Sequence, residues 1–418
     1  MLAVLVVAAA GVAVLRAGYS PPVDASMSVS PQTALLDQPV AVSVRGLPPG
    51  AHTTVTATAT DGGGTTWSAS AEFQASSDGV ASLDQPSLGG SYSGVNAMGL
   101  FQFMAPPSSD STKTVFFNPD LGYDVTLQAR VGRRVAAAAT ARRQDPAAVG
   151  VVVRQLRPAS GGIYADLYLP KDSSVSRPAV LVFGGSGGGL RTGFQASLLA
   201  AHGYPSLALA YFNEPGLPQG LADIPLEYFT KALAVLRAQP GVDPDHVLVS
   251  GVSRGSEAAL LLGVHFPRLV NGVIAGVPSS VVNPGFPDAS RPAWTLHGRP
   301  LPSASPGEFG QPAPVGNPEA VIPVERIRGP ILLACGGLDV IWRSCAYTDA
   351  ITRRLAAHRF AYPVTALRYP DAGHLAGDLT AYYSLTDAAL TSFGGTVAGT
   401  EAGLADGHAK LLAFLASQ

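Results

Sequence analysis

The sequence predicts two domains, an all-β sandwich followed by a mostly parallel sheet with helices on both faces. Three observations predict this organisation. Residues 26–143 contain short stretches in which β-branched and small residues alternate, separated by glycine and proline turns. A polar, proline-ended stretch at residues 141–146 ends that pattern. From residue 147 to residue 418, strand-length apolar stretches alternate with helical segments, which is typical of a parallel sheet.

The composition is that of a globular chain with room for more than one domain. Of its 418 residues, 47% are hydrophobic and 13% are charged, so the chain can bury a large core. The formal net charge of -2 offers no basic face, and we therefore expect no nucleic-acid partner. Any phosphate-bearing substrate has to be bound by local positive charge.

The first 17 residues form an apolar segment that resembles a signal peptide or an anchor. Residues 1–15 are continuously apolar and end at Arg16, a run too short for a standard membrane-spanning helix. We expect a secreted protein or N-terminal membrane anchoring. The alternatives are a mis-set start codon, which leaves the protein in the cytoplasm, and a mitochondrial-style remnant.

The first domain, residues 26–143, is predicted to be an immunoglobulin-like sandwich. Its predicted strands are residues 40–44, 54–60, 67–73, 115–117 and 125–131. Short strands separated by frequent turns are typical of a β-sandwich, in which two sheets pack face to face. The domain offers no cluster of His, Asp and Glu, so we expect it to pack against the second domain and shape it.

The second domain, residues 147–418, is predicted to open with a hairpin of residues 151–157 and 162–169. The strands predicted after it are residues 178–183, 206–211, 247–249, 331–335 and 364–369. The predicted helices are residues 195–202, 224–237 and 256–262.

A serine lies between a buried strand and an apolar helix in Gly251-Val-Ser253-Arg-Gly255. The two glycines permit a sharp turn that holds the hydroxyl of Ser253 above the sheet. In a chain with 47 glycines the pattern could fall in an ordinary turn, but the flanking strand and helix favour a nucleophile. The backbone N–H of Arg254, at the positive end of the helix dipole, then points where an oxyanion forms. This context predicts an α/β-hydrolase.

The glycine run at residues 184–189 follows the strand at 178–183 and has two interpretations. A run of this kind can bind phosphate, but here no Lys-Ser/Thr follows and the spacing does not fit a dinucleotide site. In an α/β-hydrolase, the loop at this place supplies the second oxyanion N–H. Gly185 and Ser186 are the candidates.

The base that activates the serine is predicted to be His374. A serine hydroxyl needs a base, and in this fold the chain order is serine, acid, histidine. His374 directly follows the strand at 364–369. His358 and His408 are predicted to lie on solvated helix faces.

The acid is predicted to be Asp339, which follows the end of the strand at 331–335. Asp371 is so close in sequence to His374 that we expect it to cap the loop, and Asp349 falls within a helix. We expect no metal and no cofactor, because the chemistry of a serine triad needs neither.

Three other residues near these motifs are ambiguous. Glu257 is interpreted as a partner of the helix dipole, Trp342 as core packing and Arg343 as a solvated charge.

The two cysteines, Cys335 and Cys345, are too few for a disulfide framework or a zinc site. In an oxidising compartment they could bridge each other, and the sequence leaves both states open.

The chain resembles the acyl-CoA thioesterase and bile acid-CoA:amino acid N-acyltransferase family. The matching stretches run through nearly all of the chain after Ser26 and are residues 47–50, 90–100, 182–189, 207–212, 224–229, 251–257, 335–344 and 372–374. Family members join an immunoglobulin-like domain to an α/β-hydrolase domain. The resemblance implies a triad of Ser253, Asp339 and His374, and hydrolysis of acyl-CoA to a carboxylic acid and CoA. Members specialised in transfer to amino acids carry cysteine where this chain has Ser253.

Three functions remain open from the sequence. The first is a serine thioesterase whose substrate is a small-molecule acyl-CoA. The second is an extracytoplasmic carboxylesterase or dienelactone-hydrolase-like enzyme that acts on another acyl ester, namely an oxygen ester. The third is a non-catalytic binding protein, against which the complete set of triad residues argues.

Overall fold

The computed structural model describes residues 24–108, 114–119, 121–158, 162–172, 174–382 and 384–418. The predicted signal or anchor segment, residues 1–17, lies outside these ranges. Within them, no helix combines the length and the apolar character that a membrane crossing needs.

The first domain consists of two β-sheets around one core. The six-stranded sheet has the order Thr33–Leu35, Arg134–Gln144, Tyr123–Val131, His52–Thr60, Thr66–Gln74 and Gly89–Gly90. The three-stranded sheet has the order Ser26–Ser30, Ala41–Arg45 and Ala81–Ser82. A four-residue helix, Gly99–Gln102, packs beside them. Alternate strand residues such as Val42, Val55 and Leu127 are buried in the shared core. The sandwich agrees with the sequence analysis, and its immunoglobulin-like class stays a prediction.

One predicted strand of this domain, residues 115–117, is wrong. Val115 makes only an isolated bridge, and its partner is Leu385 of the second domain. The N–H of Phe116 donates to the carbonyl of Ser384 at 3.1 Å. The β-forming residues therefore dock on the other domain instead of adding a strand to the sandwich.

The second domain is built on an eight-stranded sheet. In spatial order its strands are Val151–Leu156, Tyr164–Pro170, Ser206–Ala210, Arg177–Phe183, Val242–Val252, Gly272–Gly276, Ile331–Gly336 and Val364–Tyr369. The first two pairings are antiparallel and the others are parallel. A small sheet joins Ile224–Pro225, Trp294–Leu296 and Arg299–Pro300.

Helices cover both faces of this sheet, as predicted. The α-helices are Gly193–Ala201, Leu226–Arg237, Arg254–His265, Ser344–Ala357, Asp387–Leu390 and Val397–Ala416. The 3₁₀ helices are Pro146–Ala148, Pro306–Glu308, Pro318–Ala320, Val324–Arg326 and His374–Asp378.

The central strand Arg177–Phe183 shows why both faces must be covered. Leu181 and Phe183 point into the core that contains the helix Leu226–Arg237. Val180 and Val182 point into the opposite core, which contains the helix Gly193–Ala201. Because a strand between two helical layers is buried on both sides, it is continuously apolar and does not alternate.

The parallel strands end at one edge of the sheet, which gathers the predicted site residues. Ser253 follows Val242–Val252, and Asp339 lies three residues beyond Ile331–Gly336. His374 begins the 3₁₀ helix that follows Val364–Tyr369. Three residues that are far apart in the sequence therefore meet at the carboxyl ends of the strands.

The prediction that His408 lies on a solvated face is wrong, whereas His358 is exposed as predicted. His408 is 5% exposed, because the face of the helix Val397–Ala416 that carries it packs against Asp37 of the first domain. Its Nε2 lies 2.8 Å from Oδ2 of Asp37.

Candidate active site

Ser253 occupies a strained turn between a strand and a helix. Its backbone angles are φ 56° and ψ -124°, in a region that side chains other than glycine rarely adopt. The N–H of Ser253 donates to the carbonyl of Gly276 on the neighbouring strand at 3.0 Å, which holds the turn in place. The strand–turn–helix context agrees with the sequence pattern.

The two glycines that flank Ser253 are required by close backbone contacts. A Cβ at Gly251 would lie 2.2 Å from the carbonyl oxygen of Gly255. A Cβ at Gly255 would lie 2.4 Å from the carbonyl oxygen of Gly184, and one at Gly185 would lie 2.9 Å from Cβ of Ser253. The glycine loop therefore packs directly on the turn that carries the serine.

His374 and Asp339 form a buried hydrogen-bonded pair. Nδ1 of His374 lies 2.9 Å from Oδ2 and 3.0 Å from Oδ1 of Asp339. The two side chains are 8% and 1% exposed. Because Nδ1 donates to the carboxylate, Nε2 of the neutral imidazole is left to accept a proton.

The other two candidate acids are directed elsewhere. Asp349 pairs with Arg368 near the surface. Asp371 is exposed, and its backbone carbonyl accepts the N–H of Thr396 at 2.9 Å. Its carboxylate makes no hydrogen bond in the described part of the chain, so the cap expected of this side chain is not observed. Of the three candidates, Asp339 is the one in contact with His374.

Two aromatic rings hold the imidazole of His374 in place. The edge-on indole of Trp342 lies with its centroid 5.8 Å from the imidazole, and Phe393 stacks on it at 6.5 Å. Nε1 of Trp342 donates to the carbonyl of Val277 at 3.2 Å. Trp342 is thus a packing residue and Arg343 is exposed, as predicted, whereas no sequence motif singled out Phe393.

A disulfide closes the loop that carries the acid. Cys335, near the end of the strand Ile331–Gly336, is bonded to Cys345, at the start of the helix Ser344–Ala357. Asp339 lies between the two cysteines and accepts the N–H groups of Ile341 and Trp342, at 3.0 and 3.3 Å. The bridge that the sequence left open therefore fastens the segment holding the carboxylate.

Ser253 and His374 line one cavity of about 330 Å³. Its lining also includes Gly184, Gly185, Ser186, Gly187, Gly188, Arg191, Thr192, Phe194, Gln195, Val252, Leu375, Asp378, Thr380 and Phe393. The hydroxyl of Ser253 makes no hydrogen bond to any residue that the structure describes. Hydrogen bonds between nucleophile and base are often loose before substrate binds.

Free backbone donors border the serine. The N–H groups of Arg254, Gly185 and Ser186 donate to no acceptor in the described part of the chain. The hydroxyl of Tyr211 donates to the carbonyl of Gly184 at 2.8 Å, which fixes the start of the glycine loop. The N–H groups of Gly185 and Ser186 are therefore available at the cavity, and that of Arg254 directly follows the serine.

Two family models match this chain. The acyl-CoA thioester hydrolase/BAAT N-terminal region matches residues 37–155, and the BAAT/acyl-CoA thioester hydrolase C-terminal region matches residues 224–291 and 307–398. The chain belongs to this family. The resemblance noted in the sequence is thereby confirmed.

The relatives in this thioester hydrolase/BAAT family include both hydrolases and transferases. The chain is 32% identical over 368 residues to mitochondrial acyl-coenzyme A thioesterase 2 of Mus musculus, covering 84% of this chain and 79% of the relative. It is 32% identical over 366 residues to acyl-coenzyme A amino acid N-acyltransferase 2 of Rattus norvegicus, covering 83% and 85%. A dienelactone hydrolase-like phosphotriesterase from metagenomic libraries is 17% identical, with a TM-score of 0.40 over 64% of this chain and 99% of that structure.

A second, more apolar cavity of about 410 Å³ adjoins the first. Both are lined by Leu375, Asp378 and Phe393. The remaining lining residues are Thr114, Val115, Leu385, Ala388, Ala389, Ser392 and Leu404. Residues 114 and 115 of the first domain and residues from the C-terminal region therefore line a space beside the cavity of Ser253.

Glu257 has a larger role than the helix-dipole contact predicted for it. Its carboxylate is fully buried and forms an ion pair with Arg254, whose Nε lies 3.1 Å away. It also accepts Nε1–H of Trp294 at 2.5 Å and the N–H of Asn283 at 3.1 Å. This buried network anchors the helix start that presents the N–H of Arg254.

Asp378 is a site residue that the sequence analysis missed, because it belongs to no motif. It borders both cavities, and burial raises the pKa of its carboxyl to about 6, while the nearby His374 acts in the opposite direction. Holding a carboxyl where ionisation is unfavourable destabilises the fold, and such groups cluster at functional sites.

The Asp378→Asn variant is expected to be more stable than wild type above pH 6. The folded-state pKa of about 6 lies above the ordinary value of 3.8. The contribution of this carboxyl to the free energy of unfolding is therefore greatest below about pH 4 and is lost as the pH rises through 6. The gain in unfolding free energy should approach about 3 kcal/mol at pH 8 and be smaller at pH 5. Urea unfolding at both pH values measures it.

The matched control is Asp371→Asn, which removes an exposed carboxyl a few residues away. It should leave the difference between pH 5 and pH 8 unchanged. An Asp378→Asn variant no more stable than wild type at pH 8 would contradict the assigned effect of burial.

Proposed function

We propose that this chain is a serine hydrolase that cleaves acyl-CoA thioesters to a carboxylic acid and CoA through an acyl-enzyme on Ser253. The observation that carries the proposal is the shared cavity. The strained Ser253 and the His374–Asp339 pair meet there beside free backbone donors. Membership of the thioester hydrolase/BAAT family supports the choice of substrate class.

Acylation begins when Nε2 of His374 takes the proton of Ser253 as Oγ attacks the thioester carbonyl carbon. The N–H of Arg254 and that of Gly185 or Ser186 stabilise the resulting oxyanion. Asp339 holds the imidazole in the required tautomer and stabilises its protonated form. As the C–S bond breaks, the imidazolium returns its proton to the sulfur of CoA.

Deacylation repeats these steps with water as the nucleophile. His374 removes a proton from water, which attacks the acyl carbon, and the same backbone donors stabilise the oxyanion. As the ester C–O bond breaks, the imidazolium returns the proton to Oγ of Ser253 and the carboxylic acid is released. An acyl group on Ser253 is an oxygen ester, which amines attack more sluggishly than a thioester. A serine at this position therefore favours release to water over transfer to an amino acid.

The acyl part and the CoA part of the substrate occupy different cavities of the adjoining pair. The more apolar cavity, which begins at Leu375 and Phe393, suits the acyl chain. Arg191 is the one positively charged residue among those lining the cavity of Ser253, and it is exposed. It forms no ion pair with any residue in the described ranges, so its charge is available to a phosphate of CoA.

The variants Ser253→Ala and His374→Ala should each lower kcat/KM for an acyl-CoA by several orders of magnitude. The double variant should be little worse than either one, since triad residues act as a unit. Steady-state release of CoA, followed with a thiol reagent, measures all three. His358→Ala, which removes an exposed histidine, is the control and should match wild type. Additive losses in the double variant would remove the triad assignment.

The Arg191→Gln variant should raise KM for an acyl-CoA by about tenfold, which corresponds to losing about 1.4 kcal/mol of a charge-assisted contact. The matched substrate is the N-acetylcysteamine thioester of the same acid, which lacks the phosphates of CoA. Its KM should be unchanged in the variant. Equal effects on both substrates would mean that Arg191 does not bind phosphate, and wild-type activity on p-nitrophenyl esters alone would contradict the thioesterase proposal.

A further inference from the structure

Three possible metal ligands from distant parts of the sequence converge where the two domains meet. Asp37 follows the strand Thr33–Leu35 of the first domain. His202 ends the helix Gly193–Ala201, and His408 lies within the helix Val397–Ala416. None of them belongs to the active site described above.

The ligand atoms of the three side chains point at one another. Nε2 of His202 lies 2.5 Å, and Nε2 of His408 2.8 Å, from the same oxygen, Oδ2 of Asp37. All three atoms lie within 4.8 Å of one another. The side chains of Asp37 and His408 are 0% and 6% exposed, whereas that of His202 is 26% exposed.

Hydrogen bonding in this cluster is incomplete without a further cation. Oδ1 of Asp37 is buried and has no hydrogen-bond partner among the described residues, which is unfavourable for a carboxylate. Nδ1 of His408 lies 3.1 Å from the carbonyl of Leu379 and must donate to it. In the neutral ring, Nε2 then presents a lone pair toward Asp37. A proton or a metal ion has to lie between them.

We propose that Asp37, His202 and His408 bind one divalent transition-metal ion, for which Zn²⁺ fits best. Two imidazoles and a carboxylate are zinc ligands, and the hydrogen bond from Nδ1 of His408 to a backbone carbonyl is the usual way of orienting a ligating histidine. Zinc bonds of roughly 2.0–2.2 Å place the ligand atoms about 3.3 Å apart. Shifts of less than about 1 Å would suffice, and the open side at His202 leaves a position for water.

The surroundings limit the affinity of this site. The guanidinium of Arg143 donates to the carbonyls of Leu36 and Gln38, which holds the segment that carries Asp37. Its positive charge opposes a nearby cation. We therefore expect weaker binding than at a structural zinc site with four thiolate or imidazole ligands.

The position of the site suggests a structural role that extends to the substrate cavity. Leu379, which accepts from His408, lies between Asp378 and Thr380, and both of these line the cavity of Ser253. The helix that ends at His202 contributes Phe194 and Gln195 to the same cavity. A bound ion would join the two domains and fasten two segments of the cavity wall.

The test is titration of the metal-free, untagged chain with ZnCl₂, followed by calorimetry and by thermal unfolding. Wild type should bind one zinc ion at this site and show a higher Tm with zinc. Asp37→Asn and His202→Gln should weaken binding at least tenfold and lose the rise in Tm. His202→Gln removes a partly exposed ligand and so keeps the experiment informative if Asp37→Asn fails to fold. In wild type, Co²⁺ should give the intense visible absorption of a four-coordinate site.

Two further variants separate this site from adventitious histidine binding. His358→Gln and His374→Ala, which remove an exposed histidine and the proposed catalytic base, should bind the zinc ion as tightly as wild type. The proposal is overturned if wild type takes up no zinc, or if Asp37→Asn and His202→Gln bind it as tightly as wild type. In either case a proton fills the gap between Asp37 and the histidines.

Discussion

The candidate site depends on a backbone contact that is closer than any Cβ allows. The turn at Ser253 is pressed between the glycine loop and its own helix, with glycine at each point where a side chain would clash. This packing forces Ser253 into a strained conformation that leaves its side chain at the cavity. The same contact brings the backbone donors of the glycine loop beside the serine.

The other parts of the site keep that arrangement rigid. The Arg254–Glu257 ion pair anchors the helix behind the serine, and breaking a buried pair of this kind typically costs about 3–5 kcal/mol. The disulfide between Cys335 and Cys345 fastens the loop of Asp339. Since each partner of the serine is fixed by its own contacts, little reorganisation is needed during the reaction.

Local sequence patterns were enough to predict the strand ends and the residues that follow them. Ser253, Asp339 and His374 could be proposed because each follows a predicted strand of the sheet, and parallel strands end at a common edge. Features that depend on contacts between distant segments left no such pattern. Phe393 stacks on an imidazole 19 residues away in the chain, and the pKa of Asp378 is raised by burial, which no local motif predicts.

His408 is the clearest case of a contact between distant segments that the sequence does not predict. Its helix looks amphipathic from the sequence, which predicts that a polar residue on it faces solvent. Its partner Asp37 is 371 residues away, and only the docking of the two domains buries both side chains. The disulfide could not be predicted from the sequence either, because two cysteines ten residues apart are compatible with the reduced and the oxidised state. Only the folded structure places the two sulfur atoms at bonding distance.

Rapid acid quenching can detect the proposed acyl-enzyme on Ser253. Wild-type enzyme mixed with excess acyl-CoA is quenched within the first turnovers, digested and analysed by mass spectrometry. We expect the peptide containing Ser253 to gain the mass of the acyl group, and the same peptide from Ser253→Ala not to gain it. Steady release of CoA and acid with no acyl group on that peptide, or with the acyl group on another residue, would contradict it.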